Sequence, residues 1–203
     1  MEISKFTGTY LNAFRQALEA NEADYKGQML EHSKAIAKAV ELITIVQKEN
    51  KKIMMLGNGG SAGITSHMAV DYWKNGNIRA TAFNDPSLLT CIANDFSYAE
   101  VFSKPIEAFA DKGDMAFCIS SSGNSANILN AAEQAKKSGC IVMTFSGFKA
   151  DNPLRKLGDL NFFVPSQAYG FVELIHNLLI HEILDAKLYC NDKKDIFNKN
   201  IPF

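Results

Sequence analysis

The stretch that most limits what this chain can fold into is 53–73, Ile-Met-Met-Leu-Gly-Asn-Gly-Gly-Ser-Ala-Gly-Ile-Thr-Ser-His-Met-Ala-Val-Asp-Tyr-Trp. Ile53 to Leu56 form a short unbroken apolar run, the pattern of a strand buried on both faces of a parallel sheet. Gly57, Gly59 and Gly60 follow around Asn58, and glycines there permit left-handed backbone and close approach of a ligand. Ser61 stands where a helix N-cap belongs, and the residues after it read as a helix. Strand, glycine turn and helix start together make an anion site, with free N–H groups at the positive end of the helix dipole. His67 and Asp71, four residues apart, fall on one face of that helix. The spacing is not the P-loop, because no Gly-Lys-Ser/Thr follows. Nor is it the dinucleotide G-x-G-x-x-G, since Ala62 takes the third position. Alone, such a turn is equally a tight link between strand and helix.

A second unit of the same kind follows. Met115 to Ile119 is an apolar strand that runs into Ser120-Ser121-Ser122-Gly123-Asn124-Ser125, with a helix from Ala126 to Lys137 and Gly139 ending it as a C′ glycine. Hydroxyls and backbone N–H groups at a helix start bind phosphate without a lysine. A loop that merely caps its helix has the same composition, but two such loops in one sheet favour phosphate. Ala80–Phe83, Ile141–Phe145 and Asn161–Val164 read as further strands. Strands alternating with helices give an α/β fold, a doubly wound parallel sheet of about five strands with flanking helices. Both loops then lie at the carboxyl ends of strands, where such sheets bind ligands.

Residues 8–22 and 28–48 carry helical periodicity, split by the polar Asn21-Glu22-Ala23-Asp24. In the second helix Met29, Ala35, Ile36, Val40, Leu42, Ile43 and Val46 recur at helical spacing. An amphipathic helix ahead of a small α/β core is expected to bury its stripe in a subunit interface. Asn84-Asp85-Pro86-Ser87 opens a helix that closes at Asn94-Asp95, a pair expected to cap it, and 96–109 again looks helical. The organisation expected is one domain over 1–203, with N-terminal helices in 1–50, the α/β core in 51–188 and a tail in 189–203.

The last helix, from about Tyr169 to Leu188, places Glu173, His176 and His181 among leucines and isoleucines. Glu173 and His181 are eight residues apart and point within roughly 80° of each other, with Asn177 between them. A single histidine in such a helix is more often a satisfied core residue. With His67 and Asp71, however, Glu173 and His181 make either a two-His, two-carboxylate zinc set or acid/base groups.

Composition removes other classes. A formal net charge of -1 over 203 residues gives no support for nucleic acid as a partner. No run reaches transmembrane length, and Met1-Glu2-Ile3-Ser4-Lys5 is not a signal peptide, so a cytoplasmic protein without membrane contact is expected. Cys91, Cys118, Cys140 and Cys190 form no C-x-x-C; Cys118 and Cys140 read as small apolar strand residues of a reducing compartment.

Three motifs in order, Gly57-Asn58-Gly59-Gly60-Ser61 after a strand, Asn94-Asp95-Phe96, and Ile119-Ser120-Ser121-Ser122-Gly123-Asn124-Ser125, resemble the sugar isomerase (SIS) domain family. Within it the likeness, from about residue 30 to 188, is greatest to the phosphoheptose isomerase group. That resemblance implies aldose–ketose isomerisation between sedoheptulose 7-phosphate and glycero-manno-heptose 7-phosphate, for a surface glycan such as lipopolysaccharide or capsule. It also implies a homotetramer with active sites at subunit interfaces. Sugar-phosphate binding is implied for Asn58, Gly59, Gly60, Ser61, Asn94, Asp95, Ser120, Ser121, Ser122, Ser125 and Glu173. Zinc, which the family often holds through a His, a Glu, a Gln and a second His, would here have His67, Asp71, Glu173 and His181. Asp71 stands where the family has Glu, and Glu173 where it has Gln. Gly170 replaces an acid that the family carries just before the last helix. Proton transfer is expected from His181 with Asp71 or Glu173. The contrasting expectation is an SIS module that binds a sugar phosphate or a protein partner without turnover.

Overall fold

The computed structural model describes residues 2–192, so 193–203 of the expected tail lie outside the described residues. The chain begins with α1 (Ile3–Glu19), a hairpin of β1 (Glu22–Tyr25) and β2 (Gln28–Leu30), and α2 (His32–Lys48). Then come β3 (Ile53–Gly57), α3 (Gly60–Lys74), β4 (Ala80–Ala82) and α4 (Pro86–Asp95). A 3₁₀ turn at Tyr98–Glu100 leads to α5 (Ser103–Phe109), β5 (Met115–Ser120), α6 (Ala126–Lys137), β6 (Ile141–Gly147), β7 (Leu160–Val164) and α7 (Tyr169–Asp192).

The five expected strands are all present and parallel, but the sheet has seven, in the order β2-β1-β7-β6-β5-β3-β4. The added pair is the hairpin, with β1 antiparallel to β7. The polar stretch expected to separate two helices is therefore partly strand. Asp24 is buried in it, because its carboxylate accepts from Asn161 Nδ2 at 3.0 Å and from the Gly27 N–H at 3.1 Å. A carboxylate paired with two donors can be buried where a bare one cannot.

Each central strand is covered on both faces, and alternate residues serve opposite cores. Ile53, Met55, Phe117, Ile119 and Phe145 pack with Ile43 of α2, Met68 of α3 and Ile180 of α7. Met54, Leu56, Ala116 and Cys118 pack with Ile106 of α5 and Ile128 of α6. Burial of each large apolar side chain here stabilises the fold by about 1.5–3 kcal/mol. Cys118 and Cys140 are buried free thiols, as expected of small core residues.

The expectation for α2 is corrected. Its stripe (Ala35, Ile36, Ala39, Leu42, Ile43, Val46) is buried within the chain, against the sheet and α7. The helix left without cover is α1, which buries no residue and exposes Ile3, Phe6, Tyr10 and Leu11. It packs on the chain through half-buried Phe14, Ala17 and Leu18 and through the rings of Tyr10 and Phe14, which meet Phe171 edge-on at 4.8 and 5.7 Å. No helix among the described residues is long and apolar enough to cross a membrane.

Candidate active site

In this strand order β3 lies between β4 and β5, so the chain leaves β3 to one side and returns on the other. The loops after β3 and β5 therefore diverge from neighbouring strands, with Gly57 opposite Ile119. A crevice opens at such a switch point. Here it is a cleft of about 210 Å³ formed by Asn58 to Ser61 from the first loop, Ile119 to Ser122 and Ser125 from the second, and Tyr169 and Glu173 from α7.

Backbone conformation keeps the cleft's donors free. Gly59, at φ 53°, is the N-cap of α3, a left-handed position that favours glycine. The helix thus starts one residue before Ser61, which is buried in its first turn and is not the cap expected from the sequence. No side chain caps α3, and Ser125 does not cap α6, whereas Asp85 caps α4 by accepting from the N–H groups of Ser87 and Leu88. Uncapped first-turn N–H groups of two helices at one cleft are the donors that an anion would use. Ser120 and Ser125 hydroxyls lie 3.1 Å apart beside it.

Asn58 is fixed by a network that the sequence did not disclose. Its Nδ2 donates to Asn127 Oδ1 at 2.8 Å, and its Oδ1 accepts from Asn127 Nδ2 at 2.9 Å and from the Tyr98 hydroxyl at 3.0 Å. Three of the amide's four hydrogen-bonding positions are thereby occupied, and one N–H is left over on a residue that lines the cleft. Nothing in the spacing of Asn127 or Tyr98 signals this pairing. Asn94 and Asp95 are exposed on the last turn of α4 and do not line the cleft; Asn94 Nδ2 donates to Asp95 Oδ1 at 2.8 Å, and the Cys91 thiol lies 3.5 Å from Asp95 Oδ2.

Glu173 marks the cleft's inner limit. A Cβ on Gly60 would stand 2.5 Å from its carboxylate, so glycine is what lets α7 present that group across α3. The same carboxylate lines a second, adjoining groove of about 480 Å³ between the two helices, with Gly63, Ile64 and His67 on one wall and Gly170, Leu174 and Asn177 on the other.

Below that groove, His67, Asp71 and His181 offer ligand atoms all within 4.8 Å of one another. Asp71 Oδ2 is the hub, 3.4 Å from His67 Nε2 and 4.0 Å from His181 Nδ1. Glu173 is not in this group: at two turns' remove on α7 its carboxylate serves the cleft instead. Asp185, one turn beyond His181, is held above the usual carboxylate range by burial; His181 pulls it down and Asp71 pushes it up. Its four-residue spacing from His181 is the signal that would have found it. Bond lengths of about 2.0–2.2 Å to zinc put tetrahedral ligand atoms about 3.4 Å apart; the His67–Asp71 pair has that separation, and His181, 4.0 Å from Asp71, would have to close in by a side-chain rotation to complete an open three-ligand site.

A family model described as SIS domain matches residues 10–147. Phosphoheptose isomerase of Cytophaga hutchinsonii is 38% identical over 156 residues, covering 74% of this chain and 81% of that protein. That of Glaesserella parasuis is 39% identical over 157 residues, with 74% and 81% covered. Among solved structures, phosphoheptose isomerase from Neisseria gonorrhoeae superposes with a TM-score of 0.79 at 28% identity, over 92% of this chain and 99% of that one.

Proposed function

The chain belongs to the SIS-domain family, and from that membership and the geometry above we propose that it is a phosphoheptose isomerase, converting sedoheptulose 7-phosphate to glycero-manno-heptose 7-phosphate for surface-glycan synthesis in the cytoplasm. The observation that carries the reading is continuity: the anion cleft, Glu173 and the His67–Asp71–His181 cluster follow one another along α3 and α7.

The phosphate is received by Ser121, Ser122 and the uncapped N–H groups, and Asn58 donates its remaining N–H. Isomerisation moves a proton between the first two carbons through an enediol, which needs a base held beside the substrate. Glu173 is the carboxylate common to cleft and groove, and we assign it that role. His67, Asp71 and His181 would hold zinc, with Glu173 outside the ligand set. When bound, the metal supplies positive charge that polarises the sugar's oxygens. A homotetramer with the sites near subunit contacts is supported by the uncovered stripe of α1 and by exposed Trp73 and Leu174.

Ser121→Ala and Ser122→Ala should each weaken substrate binding by about 1–3 kcal/mol, one charge-assisted hydrogen bond. Unchanged calorimetric affinity in both would move the phosphate elsewhere. Gly60→Ala should fold normally, because the clash is with the far end of a flexible side chain. Its kcat should nonetheless fall by about 10²-fold as Glu173 is displaced. The reading itself is tested by NMR of sedoheptulose 7-phosphate incubated with the zinc-supplied protein. Appearance of the aldose supports it, and tight binding without conversion would make the protein a non-catalytic sugar-phosphate module.

A further inference from the structure

Asn177 lies on α7 midway between Glu173 and His181, and none of the interactions above employs it. Its Oδ1 is buried and has no hydrogen-bond partner among the described residues. A buried carbonyl left unpaired carries a desolvation cost, and native proteins rarely keep one without a use. The side chain lines the groove that connects Glu173 to His67. On α7 it is four residues from Glu173 and four from His181, which sets it about 6 Å along the helix axis from each and on their face. Across the groove stand Gly63 and Ile64, and neither side chain brings a polar group.

We propose that Asn177 contacts the substrate, its amide hydrogen-bonding a hydroxyl in the middle of the phosphorylated sugar chain. The inference deepens the isomerase reading and rests on it. A ligand anchored by phosphate in the serine cleft and reaching toward His181 must pass Asn177. Turning the amide about its soft terminal torsion brings that oxygen out of its buried position into the groove, where a polyhydroxylated carbon chain supplies the donor it lacks. The residue thereby favours long sugar phosphates over short ones, because only a chain that extends past Glu173 reaches it.

Calorimetry with two probes that cannot be turned over separates this from a structural role. One is the seven-carbon alditol 7-phosphate, which has no carbonyl to isomerise; the other is inorganic phosphate. The wild-type protein should bind the alditol phosphate more tightly than phosphate. Asn177→Leu, which keeps the volume and removes the polar atoms, should weaken the alditol phosphate by about tenfold and leave inorganic phosphate within twofold. Equal losses for both probes would mean that the variant distorts the cleft, and no loss for either would leave Asn177 a packing residue; each overturns the proposal. If Asn177→Leu fails to fold, Asn177→Ser is held to the same two ratios. Failure of the isomerase reading is recognised separately, by the absence of conversion in the wild-type NMR assay, because neither calorimetric ratio depends on turnover.

Discussion

His181→Ala should retain less than a tenth of the zinc bound by the parent and lose at least about 10³-fold in turnover. The three donors form one group around Asp71 Oδ2, and removal of one leaves two, below the three that catalytic zinc sites use. The loss corresponds to about 4 kcal/mol of transition-state stabilisation. Elemental analysis reads the metal independently of activity. Asp71→Glu provides the contrast: it keeps a carboxylate at the hub and should keep the metal. A His181→Ala protein with one zinc per subunit would remove the cluster from metal binding and leave its members as acid/base groups.

Acid should weaken the fold through His176, a residue with no part in the site. Its ring is fully buried, Nε2 donates to the Ser146 carbonyl at 3.0 Å, and Nδ1 has no partner among the described residues. Burial pushes its pKa down to about 4 from 6.5, opposed by the bond to Ser146. The folded chain therefore leaves this ring neutral where the unfolded chain protonates it, so the unfolded state binds more protons and stability falls as pH drops from about 6.5 toward 4. A shift of that size is worth about 3 kcal/mol at the acid end. His176→Gln keeps a donor for Ser146 and cannot titrate. In urea unfolding at pH 7 and pH 4.5, wild type should lose about 2–3 kcal/mol more than the variant. Parallel pH dependences would show that the ring accepts a proton in place.

The parts of this molecule that were legible in sequence are those where one physical demand dominates. Ile53–Gly57 and Met115–Ser120 are buried throughout, and a strand covered on both faces has to be apolar throughout. His67 and Asp71 are brought together by helix geometry alone. The hairpin was hidden because its signals are weak: β1 is Glu-Ala-Asp-Tyr, and the turn is Lys26-Gly27, both at positive φ, with lysine where asparagine or glycine would have announced it. Periodicity identified α2 as amphipathic but carries no label for what covers the stripe, and the covering surface proved to be the chain's own sheet. Glu173 was grouped with the histidines on angle, although eight residues of helix also separate groups by about 12 Å along the axis. Asn58's partners came from α6 and the 3₁₀ turn, distant in sequence, and no local pattern encodes such a meeting.

In the proposed tetramer, helix α1 should make this protein responsive to dilution. Seventeen residues of helix in water are marginal, and α1 buries no residue fully within its own chain, Phe14, Ala17 and Leu18 being half-buried against the core. Part of its order would then come, by mass action, from the second surface that covers Ile3 and Leu11 in that assembly. Its ring contacts with the rest of the chain are to Phe171, beside Gly170 and two residues from Glu173. Fraying of α1 would therefore loosen the start of α7, and amide exchange in both segments should quicken together as the protein is thinned out. Specific activity should then depend on how much enzyme is in the tube, with concentration acting on the site without any effector.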